Sequence, residues 1–218
     1  MKKKLLIAGF GLILLSGIAL IFVNANNSTG SLMSELGAKL NKHSSTADMS
    51  GSSTIYAQGK NAVVTQDEVA QAKNFYIISG LSETEAEEKA ASYMMELEAM
   101  YQKAIHAGYS VTDDEVSTYI DTLKEMTASA ENKDDVQKLI SQFDSEEAYW
   151  DYQLEVYKKN LPIQNYVSDL QKQFYENNAD TLIAEKEINE EGDISGEWET
   201  YFEQFKLDAV EEEDYAII

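Results

Sequence analysis

Residues 82–116 read SETEAEEKAASYMMELEAMYQKAIHAGYSVTDDEV: one long amphipathic helix, a glycine stop, a short link and a second helix start. Ser82 with Glu85 three residues on forms a capping box, in which the hydroxyl takes an orphan backbone N–H and the carboxylate reaches back. Ala86, Ala90, Tyr93, Met94, Leu97, Met100, Tyr101, Ala104 and Ile105 then recur every three or four residues. That spacing puts them on one side of a helix and leaves Glu87, Glu88, Glu96 and Lys103 largely on the other. Gly108 falls where the helix must end, because the left-handed stop conformation costs glycine little. Thr112 and Glu115 repeat the capping box for the next helix.

Downstream, Val116, Tyr119, Ile120 and Leu123 predict a helix over 113–127, followed by a polar break at 128–133 and a short helix over 133–143 around Val136, Leu139 and Ile140. Ser145 caps a long run in which Tyr149, Tyr152, Val156, Tyr157, Ile163, Tyr166, Val167, Leu170 and Phe174 keep helical spacing. Its one proline, Pro162, removes a helix hydrogen bond, so a kink or two abutting helices are expected near Leu161. Beyond Asn178 the pattern weakens. Residues 185–197 are acidic and carry two glycines, reading as a mobile connection. Trp198, Phe202, Phe205 and Leu207 predict one more helix, and VEEEDYAII reads as a solvated tail.

Upstream, Thr65 and Glu68 open a helix through about Ser79, with Val69, Ala72, Phe75, Tyr76 and Ile78 apolar and Gly80 as its stop. Residues 55–64, IYAQGKNAVV, predict a small hairpin or extended arm around Gly59-Lys60-Asn61. Residues 26–53 are rich in Ser, Asn, Thr and Gly and read as a flexible tether, within which Leu32, Met33, Leu36 and Leu40 could form a short helix. Residues 1–25 start with three lysines and continue as an uncharged apolar run over 5–23. As a helix that run is about 28 Å long, close to the thickness of a bilayer's hydrocarbon core. Val23-Asn24-Ala25 also serves as a small-residue cleavage motif. A retained signal anchor and a signal peptide cleaved after Ala25 both stay open. Either one leaves the lysines in the cytoplasm and exports the body.

The expectation is therefore an all-α chain of five to seven helices with a short β-arm. It divides as 1–25 anchor or signal, 26–53 tether, 54–178 helical domain, and 179–218 acidic connection, return helix and tail.

Charge and composition limit the chemistry. The formal net charge is −22, and all 17 basic residues are lysine. So acidic a surface repels phosphate backbones, which argues against nucleic-acid binding. Without arginine, bidentate clamping of carboxylates or phosphates is unavailable. Cysteine is absent, so disulfides, thiolate metal sites and thiol nucleophiles are excluded. Of the two histidines, His43 sits in the tether and reads as solvated, while His106 lies near a helix end and reads as a dipole partner. The acid run 211–214 lacks an EF-hand pattern, and the acids at 113–115 are a charged first turn. No catalytic, cofactor-binding or metal-binding residue is assigned.

The positive feature is a surplus of soft and aromatic side chains. Tyr93, Met94, Met95, Leu97, Met100, Tyr101, Tyr149, Trp150 and Tyr152 are candidate polypeptide-binding residues, since methionine-rich aromatic surfaces adapt to varied apolar partners. The competing reading is that they pack against one another. Trp150, beside Tyr149, cannot share every neighbour's face and is expected at the surface.

The order of these segments resembles the N-terminal chaperone domain of the SurA/PrsA family. The match lies in Val64, Thr65 and Glu68, then Ala104, Gly108, Val111, Thr112, Asp113, Glu115, Val116 and Ile120, with SEEAYWDYQLEVYKKNLPIQNYV similar to the family's following helices. It covers about residues 55–175, with a return helix at 197–208. Family members usually carry a parvulin-type prolyl isomerase domain after these helices. The 40 residues that follow Asn178 here are too few for it and contain neither histidine nor cysteine. The resemblance thus implies a chaperone module without isomerase catalysis: an extracytoplasmic, membrane-tethered protein with unfolded or newly exported polypeptides as partners. Two alternatives remain, a dedicated interaction subunit of a membrane complex and a peptidyl-prolyl isomerase.

Overall fold

The computed structural model describes residues 29–46, 54–188 and 195–218. The expected anchor or signal at 1–25 lies outside them. Among the described residues, no helix is long and apolar enough to cross a membrane.

The described chain is mostly helical, with seven helices and one small sheet: α1 (Thr29–Thr46), β1 (Ile55–Gln58), β2 (Val63–Thr65), α2 (Gln66–Ile78), α3 (Glu83–His106), α4 (Asp113–Ser129), α5 (Lys133–Ile140), α6 (Glu146–Ile188), α7 (Ser195–Glu213) and β3 (Ala216–Ile217). All three capping boxes form, at Thr65, Ser82 and Thr112, each with the N3 glutamate returning to the cap's backbone. Local sequence alone therefore starts α2, α3 and α4. α3 stops as its glycine requires: Gly108 adopts φ +90°. Its N–H reaches the Ile105 carbonyl at 3.0 Å, and the Tyr109 N–H reaches that of Ala104 at 2.9 Å. This is the Schellman arrangement, which satisfies carbonyls the helix would otherwise leave bare.

Two apolar clusters share α2 and α6. One joins Val69 and Ala72 of α2 to the inward face of α3, to Ile163 and Val167 of α6 and to Trp198 and Phe202 of α7. The other gathers Met33, Leu36 and Leu40 of α1, Phe75 of α2, Val116 and Ile120 of α4, Leu139 and Ile140 of α5, and the first half of α6. β1 sits between β2 and β3, antiparallel to both. Ala57 faces Val64 across the hairpin, and both side chains are buried in the first cluster.

Five expectations change. Within the expected tether, the short helix read at Leu32, Met33, Leu36 and Leu40 extends over residues 29–46, because Met33, Leu36 and Leu40 bury completely against α5 and α2. Composition weights the many polar residues there, whereas the three buried apolar ones share a single face. α6 runs through Pro162 as one helix, so of the two expectations there the pair of abutting helices is the one set aside. Its length extends to Ile188, and α7 begins at Ser195, so much of the expected connection at 185–197 is helical. The tail is not free: β3 pairs with β1 and the Ile218 N–H donates to the Tyr56 carbonyl at 3.0 Å, although Ile217 and Ile218 keep their side chains exposed. Trp150 is buried, with 8% of its surface exposed. Its ring meets Tyr149 edge-on at 4.9 Å, and its Nε1–H donates to Glu146 at 3.3 Å.

Candidate functional site

The nine candidate residues do not form one surface. Tyr93, Met94, Leu97 and Met100 are buried on α3 in the first cluster, and Met95 and Tyr101 pack half-buried beside them. Tyr149 and Trp150 are buried in the second cluster, with Tyr152 half-buried against it. The Tyr152 hydroxyl accepts from Gln71 at 2.8 Å, which satisfies its polar end. In the folded chain six of the nine are interior, so they line no open groove. Their physical reason is the one periodicity implies: they are the inward stripes of α3 and α6. Met126, by contrast, is exposed at the end of α4.

α7 packs on α3 along the side that carries Glu96 and Lys103. Trp198, Phe202, Phe205 and Ala209 recur at helical spacing on one face and pack into the cluster that contains Met94 and Met100. Trp198 and Phe202 stack at 5.1 Å, and Phe174 of α6 meets Trp198 edge-on at 5.6 Å. Lys206, only 6% exposed, bridges Glu96 of α3 at 3.2 Å and Glu203 at 2.9 Å, with its ammonium 5.4 Å over the Phe202 ring. Burial holds the Glu96 carboxyl above the usual range, and Lys206 opposes that rise.

A second charged group was not anticipated. Glu98 of α3 is buried, and its carboxylate bonds the ammonium of Lys159 from α6. Lys159 also reaches Glu68 at 3.1 Å and lies 5.9 Å from the Tyr101 ring centre. Burial pushes the Glu98 carboxyl up while Lys159 pulls it down, with a net rise. On Lys159 burial acts downward, but the two carboxylates outweigh it and hold the ammonium charged. The sequence does carry a signal for this pair: Glu98 follows Met94 by four residues and precedes Tyr101 by three, on the buried stripe.

The third element is a clasp at the chain's C-terminal segment. Glu213, 6% exposed, accepts from the backbone N–H of Asn61 at 2.7 Å and of Ala62 at 3.1 Å, and from the Asn61 side chain at 3.2 Å. Burial alone would raise its carboxyl, but these amides and the positive side of His106 hold it below the usual value. Lys60 donates its backbone N–H to the Glu213 carbonyl and its ammonium to that of Glu212, both at 2.8 Å. Lys103 reaches the Glu212 carboxylate at 2.6 Å, and the Tyr215 hydroxyl donates to the Met95 carbonyl at 3.0 Å. Nothing in the acidic run 211–214 distinguishes the one glutamate that turns inward from those that remain solvated.

Among the described residues, no three His, Asp or Glu side chains stand together as a metal site. His106 lies exposed in the last turn of α3, where a cation favours the helix C-terminus. Comparison with protein-family models, with curated proteins and with solved structures found no match for this chain.

Proposed function

We propose that the chain is an exported, membrane-tethered, chaperone-like protein that binds unfolded or newly exported polypeptides and performs no isomerase chemistry. One observation carries the reading: α3 is rich in methionine and tyrosine, side chains that adapt to varied apolar partners. The SurA/PrsA-like order of segments supports it, since arm, capped helix, long helix, glycine stop and capped helix follow in that sequence. A strongly acidic exterior keeps such a protein soluble and attracts basic clients. Export through residues 5–23 supplies the tether.

Light scattering of a chemically unfolded model protein tests this. The body, residues 26–218, is expected to suppress aggregation at near-stoichiometric amounts. No suppression, together with one stoichiometric partner in a pull-down, would replace the reading with that of a dedicated interaction subunit. Acceleration of prolyl isomerisation in a peptide substrate would restore the enzymatic alternative.

A further inference from the structure

We propose that α7 and β3 occupy this protein's polypeptide-docking face, and that a client segment with aromatic side chains at helical spacing and a lysine displaces them. The inference rests on the chaperone reading and names its site, its occupant and the chemistry of the client.

The other elements pair with one another without α7–β3. β3 is an edge strand, so its departure keeps the β1–β2 hairpin paired. α2, α3 and α6 remain joined through Val69, Ala72, Ile163 and Val167. The segment therefore lifts off without breaking another ladder or helix. It uncovers the side of α3 that carries Met95, Glu96 and Lys103, which Tyr215, Lys206 and Glu212 hold in the seated state.

The seated segment defines its replacement. Trp198, Phe202 and Phe205 fill the face at positions i, i+4 and i+7, and Lys206 meets the half-buried carboxylate of Glu96. A displacing client must supply two or three aromatics at that spacing and a cation for Glu96. It then adds an extended stretch along β1 in place of β3, using the backbone groups that Tyr56 and Gln58 offer there. Among unfolded chains the net charge of −22 selects the basic ones.

Gly59 is where the seat is tightest. A Cβ placed there would stand 2.8 Å from Glu213 Oε2 and 3.0 Å from Tyr215 Cε1, so Gly59→Ala pushes the clasp away. The opposite variant locks it. The Ile218-to-Tyr56 bond makes Ala57 and Ile217 a non-hydrogen-bonded pair, the kind whose side chains stand closest. Ala57→Cys with Ile217→Cys thus sits within disulfide reach, in a chain with no other cysteine.

The test uses the full-length chain in lipid nanodiscs and fluorescently labelled, reduced and carbamidomethylated ribonuclease A, a basic and permanently unfolded probe, read by anisotropy. Gly59→Ala is expected to bind about tenfold more tightly than the parent, because a larger fraction is competent. The oxidised double-cysteine variant is expected to lose binding by about tenfold or more, and dithiothreitol to restore it. An unlabelled peptide of residues 195–218 should compete. Equal binding by the oxidised and reduced forms would overturn the inference while leaving the chaperone reading intact. Absence of binding in every variant, Gly59→Ala included, would remove both.

Discussion

Replacing Lys159 by methionine isolates the charged pair at the centre of the fold. The substitution keeps most of the side-chain volume and leaves Glu98, 4% exposed, without its cation. Removing one partner of a buried pair costs about 3–5 kcal/mol. The Lys159 side chain is 31% exposed, so water already weakens the pair and the lower end, about 3 kcal/mol, applies. In a chain of this size that corresponds to a fall of about 6–12 °C in melting temperature. The loss depends on pH with a definite sign. Burial raises the Glu98 carboxyl in the folded state, and without Lys159 nothing opposes it. An acid whose folded value lies above its unfolded value of about 4.3 destabilises the fold as pH rises from one to the other, fully so above both. The variant is therefore expected to lose more at pH 8 than at pH 5, measured as urea midpoints against the parent. Adding Glu98→Gln should recover at least about 1.5 kcal/mol at pH 8, because the stranded charge is gone. A loss below about 1 kcal/mol at pH 8, an equal loss at pH 5, or no rescue by the second substitution would refute the assignment.

Glu213 works in the opposite sense: its carboxyl is held low in the folded state, so its contribution is present above the unfolded value and is lost as pH falls through the folded one. Glu213→Gln is expected to cost about 1–2 kcal/mol at pH 7 and to flatten the stability profile between about pH 5 and 3; guanidinium midpoints that keep the parent's slope would contradict this. Gly37 faces α5, where an added Cβ would lie 2.4 Å from the Leu139 carbonyl oxygen, a backbone atom with nowhere to go. Gly37→Ala should cost about 1–3 kcal/mol and speed amide exchange over α1 while α3 keeps its protection, and equal protection in both helices would count against the docking of α1.

The sequence discloses what is local. Helix starts at Thr65, Ser82 and Thr112 and stops at Gly80 and Gly108 are written within a few residues, and each forms as read. The hairpin around Gly59-Lys60-Asn61 is legible for the same reason. What stays hidden is who lies opposite. Leu36 and Leu40 look insufficient for a core until α5, about a hundred residues on, closes over them with Leu139. Glu213 looks like one acid among several until the amides of residues 61 and 62 turn towards it. Trp150 reads as surplus beside Tyr149, yet Glu146 one turn earlier takes its N–H and lets the ring bury.

The α3 stripe shows the limit most clearly, because periodicity tells which face turns inward and says nothing of what it meets. A face of Leu and Ile would fit one partner well and others poorly, since branched side chains hold fewer shapes. Met94, Met95 and Met100 have three rotatable bonds each and tolerate a change of partner at small cost. The flat rings of Tyr93 and Tyr101 add area with only two torsions to fix. Such side chains suit the polypeptide-binding role proposed above. They also set the direction of an experiment. Repacking Met94 and Met100 to leucine should keep the fold within about 1.5 kcal/mol per site while narrowing the range of unfolded chains bound.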